Sequence, residues 1–99
     1  MSTRKAYEEK LQTQLDSYSA EIEELKARAD KSEADKKPWH RQQVEALQEK
    51  HRQARERLAE FKKAGDDAWD DLKTGIGSAW DSLGDAMNSA RKQFNKLSD

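Results

Sequence analysis

His40 and His51 are the side chains of this sequence most able to do chemistry. They stand eleven positions apart, so a continuous helix would present both imidazoles on similar sides. A metal site needs three or four ligands, commonly at i to i+3 or i+4 spacing. The chain has no cysteine, so Glu45 or Glu49 would have to complete such a set. The bland reading is stronger: a solvated His40, and a His51 that lines a helix seam. The 20 Asp and Glu residues could in principle supply an acid/base pair. General acid–base catalysis needs a concave, partly dry pocket, whereas carboxylates spread along helical faces are usually solvated charge. No glycine-rich phosphate loop, zinc signature or nucleophile with a base at motif spacing occurs. The expectation is a non-enzymatic protein with no metal and no cofactor.

Basic residues gather between positions 38 and 64, where Arg41, Lys50, Arg52, Arg55, Arg57, Lys62 and Lys63 face four glutamates. Duplex binding usually shows a larger basic excess, and the segment that follows is acidic. This is the mixed exterior of a solvated helix, and no nucleic-acid partner is expected.

The more informative pattern is apolar. Ala68-Trp69-Asp70-Asp71-Leu72 returns as Ala79-Trp80-Asp81-Ser82-Leu83, and faintly as Ala90-Arg91-Lys92-Gln93-Phe94. Eleven residues make three helical turns, so each unit returns to the same face. At roughly 100° per residue, Trp69, Leu72, Ile76, Trp80, Leu83, Met87 and Phe94, with Ala68, Ala79, Ala90 and Leu97, share one arc of about 120°. Asp70, Thr74, Asp81, Asp85 and Lys92 lie opposite. These seven large side chains form the candidate interaction stripe. Burying each contributes about 1.5–3 kcal/mol against other helices. The alternative is a lipid interface, where tryptophan is favoured at headgroup depth. Packing is preferred because Asp70, Asp71, Asp81 and Asp85 on the polar face would be repelled by anionic lipids.

Elements able to present such a stripe follow from the rest of the chain. Charged residues make up 39% and hydrophobic residues 33% of 99 positions, too polar for a conventional two-layer core. Long helices that each bury one stripe remain possible. Disorder is the competing outcome at this composition, opposed by a net charge of only -1 and by the sustained apolar spacing. A first helix is predicted over 4–35, with Tyr7, Leu11, Leu15, Tyr18, Ile22, Leu25, Ala29 and Ser32 on its seam. Pro38 breaks the pattern and suits the first turn of a new helix. A second helix is predicted over 38–64, with a seam of Val44, Leu47, His51, Ala54, Leu58, Phe61 and Gly65. Reversal at the proline would set Ala29 against Val44, Ile22 against His51 and Leu11 against Phe61. Gly65 suits the left-handed position past a helix end, and Asp66 suits the N-cap of a third helix over 66–97. Asp66, Asp67, Asp70 and Asp71 open that helix while Arg91, Lys92 and Lys96 close it, as the helix dipole favours. Gly75, Gly77 and Gly84 weaken it, so it should order fully only against a partner surface.

Ser2-Thr-Arg-Lys-Ala-Tyr-Glu-Glu-Lys-Leu-Gln, Gly65-Asp66-Asp67-Ala68-Trp69-Asp70-Asp71-Leu72-Lys73 and Ser78-Ala79-Trp80-Asp81-Ser82-Leu83 resemble small bacterial coiled-coil proteins labelled as stress-response proteins. The resemblance spans nearly the whole chain. It implies a helical, non-enzymatic, intracellular protein with a role under stress, and it carries over no binding or catalytic residue. Pro38 and Trp39 depart from the proline-free middle of that family. The eleven-residue period is also similar to that of apolipoproteins and late-embryogenesis-abundant proteins.

The expected architecture is all-α, a single helical domain over 1–99 assembled as a coiled coil. It is either a hairpin or three-helix bundle within one chain, or an extended oligomer. The expected partners are the chain itself or another helical protein, with a membrane surface as the alternative. Absence of cysteine, of an apolar leader at the start and of any run of about 20 apolar residues fits a cytoplasmic setting.

Overall fold

The computed structural model describes residues 3–98, with side chains described as far as Asn95. Three helices account for nearly all of it: α1 (Thr3–Asp30), α2 (Lys37–Lys63) and α3 (Asp66–Ser98). They fold back on one another as an all-α three-helix bundle of 51 × 20 × 16 Å. At about 1.5 Å per residue, the 33 residues of α3 alone span the long axis. α2 runs antiparallel to both neighbours, which leaves α1 and α3 parallel.

The core is one continuous seam. Leu11, Leu15, Ile22, Leu25 and Ala29 of α1 meet Val44, Leu47, Ala54, Leu58 and Phe61 of α2, and Ile76, Trp80, Leu83, Met87, Ala90 and Phe94 of α3. The α1–α2 register is close to that read from the two heptad seams. Ala29 and Val44 line one surface groove, Ile22 and His51 another, and Lys62 Nζ donates to Gln12 Oε1 at 3.3 Å.

The breaks between helices differ in detail from the sequence reading. α1 stops at Asp30, five residues before the expected 35. Most helical stability comes from burying a stripe, and the seam holds nothing apolar after Ala29. Ser32 sits on the expected seam but outside the helix, where its Oγ donates to the Ala29 carbonyl at 2.6 Å. A polar connection over 31–36 follows, and Pro38 lies in the first turn of α2.

At the second joint no residue has positive φ, so Gly65 does not take the left-handed position expected of it. The chain leaves α2 through an extended Ala64 (φ -67°, ψ 142°), whose N–H donates to the Phe61 carbonyl at 3.2 Å. The Gly65 carbonyl then receives the Ala68 and Trp69 amides at 3.1 and 3.0 Å, so Gly65 caps α3 in place of Asp66. Arg4 explains this arrangement. Its guanidinium reaches from α1 to donate to the carbonyls of Phe61 (3.3 Å) and Ala64, and to Asp66 Oδ1 at 2.9 Å. One side chain thus satisfies carbonyls at the end of α2 and engages Asp66 in the first turn of α3.

Gly75 and Gly77 have open space where a Cβ would sit, whereas at Gly84 a Cβ would meet Tyr18 Oη at 3.3 Å. The first two weaken α3 without any packing return. Gly75→Ala and Gly77→Ala are each expected to raise stability by about 0.5–1 kcal/mol, read as a higher urea midpoint at unchanged slope. Gly84→Ala should gain less, because the hydroxyl of Tyr18 must give way.

Candidate interaction surface

The stripe on α3 is largely spent inside the chain. Ile76, Trp80, Leu83, Met87 and Phe94 are buried, with Met87 fully so. Trp69 is half-buried and lies 5.2 Å from the Phe61 ring and 6.1 Å from Tyr7. Lys73 Nζ stands 5.1 Å from the Trp69 ring centroid, with the Arg4 guanidinium at 6.0 Å. Leu72 departs from its neighbours: it is 36% exposed. Its direction round the helix does not explain this, because Ala90, five turns further on, points the same way and is buried. The difference runs along the helix: residues 70–75 near the start of α3 are all exposed. Leu97, the last member of the predicted arc, and Lys96 lie outside the described side chains.

His40 corrects the sequence reading. It was expected in solvent, yet it is only 6% exposed. Position 40 lies four residues before Val44, so the α2 seam continues through the proline-bearing first turn. Periodicity alone could have found it. Its ring sits 4.8 Å from Phe94 and 5.2 Å from Trp39 (centroid to centroid), and neither ring nitrogen has a hydrogen-bond partner. A buried polar group left unpaired costs about 1–3 kcal/mol. His40→Leu, which keeps the volume and removes the orphaned nitrogens, is therefore expected to stabilise the bundle by about 1–2 kcal/mol. Chemical denaturation of the two proteins side by side measures this, and a loss of stability would show that the imidazole is satisfied in solution. His51 does line the α1–α2 seam, half-buried, and its Nε2 donates to the Leu15 carbonyl at 2.9 Å.

The helical exteriors carry ion pairs. Arg52 bridges Glu49 and Glu56 along α2, Arg41 pairs with Asp30 at 3.5 Å, and Arg91 pairs with Glu21 of α1 at 3.6 Å. The hydrogen bond from Arg52 holds the Glu49 carboxyl below its ordinary range, against a smaller desolvation effect. A depressed carboxyl lends stability that is present at neutral pH and is lost as pH falls through its folded value. Here the pair is fully exposed and solvent screens it, so acid should not open the bundle through this contact. Glu8 Oε1 and Glu21 Oε2 lack hydrogen bonds but lie within ion-pair reach of Arg4 and Arg91. The indole N–H groups of Trp69 and Trp80 are buried without a partner.

Between α2 and α3 runs an open groove of about 370 Å³, with Lys50, Gln53 and Arg57 on one wall and Gly75, Ser78 and Ser82 on the other. Lys50 Nζ donates to Ser82 Oγ across it at 3.1 Å. Among the described residues, no three His, Cys, Asp or Glu side chains are grouped to hold a metal ion. No helix there is long and apolar enough to cross a membrane. These features define a polar-surfaced, all-α bundle whose most apolar helix is also its last. No family model, curated protein or solved structure matches the chain.

Proposed function

We propose that this chain is a non-enzymatic helical interaction protein that binds a helical partner, or a second copy of itself, by releasing α3. The stripe of Trp69, Leu72, Ile76, Trp80, Leu83, Met87 and Phe94 then exchanges its seat in the bundle for an equivalent seat elsewhere. The observation that carries this reading is the state of the stripe beside the Ala64–Gly65 joint. Leu72 is already 36% exposed, Trp69 is half-covered, and Gly75 and Gly77 weaken the helix that holds them. Neither joint residue has a positive φ, and Ala64 already has a helical φ of -67°, so a change of its ψ brings it into the helical region. α2 and α3 would then form one rod, the geometry of a domain-swapped pair. A cytoplasmic protective role under stress, as in the bacterial coiled-coil proteins it resembles, is the setting this reading fits.

Gly65→Ala favours the fused helix by removing the glycine penalty at the joint. Light scattering over a wide range of concentration should show a monomer that gives way to a dimer, at lower concentration in the variant. Mass independent of concentration in both proteins would contradict self-exchange. The amphipathic α3 also supports a second reading, reversible docking on a membrane surface. Trp80 is already buried in the bundle, so vesicle co-sedimentation decides between them: α3-dependent binding to vesicles at a protein concentration where the chain is monomeric supports lipid, and concentration-dependent mass with no vesicle binding supports protein exchange.

A further inference from the structure

We propose that the end of the bundle where α1 hands over to α2 is a binding site for a phosphate dianion, with His40 as its buried hydrogen-bonding group. A depression of about 320 Å³ opens there. Arg28, Lys31 and Lys36 supply three positive charges around it, against the single carboxylate of Glu33. Arg28 is fixed in place, since its guanidinium donates to the Phe94 carbonyl at 3.2 Å and to Asn95 Oδ1 at 3.3 Å. α2 begins at the same spot with no side chain capping it, so the positive end of its dipole adds to the field.

The independent pointer to a ligand is His40. It lines the depression, is more than nine-tenths buried, and has no partner on either nitrogen. The flanking rings of Trp39 and Phe94 fix its plane and offer no acceptor oxygen. An anionic oxygen in the depression would accept the imidazole N–H and relieve the unpaired group. A phosphate suits the lining better than a carboxylate, because its oxygens can be shared between the ring N–H and several cations while two carboxylate oxygens cannot. The shared chemistry is that of a phosphate monoester or inorganic phosphate, either free or as a lipid headgroup.

The test is a calorimetric titration of the intact chain with sodium phosphate at ionic strength balanced with sodium chloride, together with nitrogen NMR of the histidine rings. Saturable binding is expected, with the His40 ring nitrogens shifting and those of His51 unchanged. His40→Leu, which should fold at least as well, is expected to weaken binding about tenfold. The surface double variant Lys31→Gln/Lys36→Gln should weaken it at least as much. A response reproduced by sodium chloride, or equal affinity in the native chain and His40→Leu, overturns the proposal. A second arm uses phosphatidylcholine vesicles with and without phosphatidic acid. Binding to soluble phosphate assigns a free ligand, and His40-dependent binding to phosphatidic acid vesicles alone assigns a headgroup. Vesicle binding indifferent to His40→Leu, or silence in both arms, overturns it. Release of α3 is read by the concentration dependence of mass, so either proposal can fail without the other.

Discussion

Leu83→Ala is expected to cost about 2–5 kcal/mol. Leu83 is 1% exposed at the centre of the α3 stripe, and its neighbours cannot close the cavity without moving α1 or α2. A chain of this size has roughly 5–15 kcal/mol of stability in all, so the melting temperature should fall by well over 10 °C. Leu72→Ala is the matched control. It removes the same atoms from the same stripe at a site 36% exposed, and it improves helix propensity. Its cost should stay below about 1 kcal/mol. Thermal unfolding followed by far-ultraviolet circular dichroism at low protein concentration measures both. If the stripe were covered by a second chain instead, both variants would change the dependence of melting on concentration. A bundle closed within one chain melts with no such dependence under dilute conditions.

Arg4→Met should cost about 1.5–3 kcal/mol, the largest effect expected from any half-buried charged residue here. The loss is not that of a surface ion pair, although Arg4 does pair with Asp66. It comes from the carbonyls of Phe61 and Ala64, which lose their charged donor where α2 ends. Methionine keeps the apolar stem, so the difference isolates the guanidinium. Arg4→Lys should recover only part of it, because a single ammonium cannot reproduce the planar fork that serves two carbonyls and a carboxylate together. Asp66→Asn separates the two contributions. It removes the ion pair and leaves the carbonyl contacts, and should change the urea midpoint by less than a third as much as Arg4→Met.

Most of the architecture was legible in the apolar spacing. The seams of α1 and α2 and the eleven-residue period of α3 each demand a helix with one buried face, and three such faces of similar length close on one another. The proline and the glycine marked where the rod must fold. What the spacing could not supply was how far along α3 the cover extends. A period fixes directions round a helix, and Leu72 and Ala90 share one, yet Ala90 is buried and Leu72 is exposed. Gly65 was read through its conformational freedom, whereas a long-range contact from Arg4 sets that joint. No local pattern announces a guanidinium that acts 62 positions away. His40 was misplaced for the opposite reason: its position obeyed the seam, but its polarity argued against burial.

Small-angle X-ray scattering of the dilute chain tests most directly whether the three helices fold back on one another within a single molecule. The expected result is a radius of gyration near the 15.8 Å of the bundle and a longest dimension near 51 Å. A fused α2–α3 rod would extend to about 90 Å at 1.5 Å per residue, and an unfolded chain of this length would show a radius of about 30 Å. Either of those values at low concentration would contradict it.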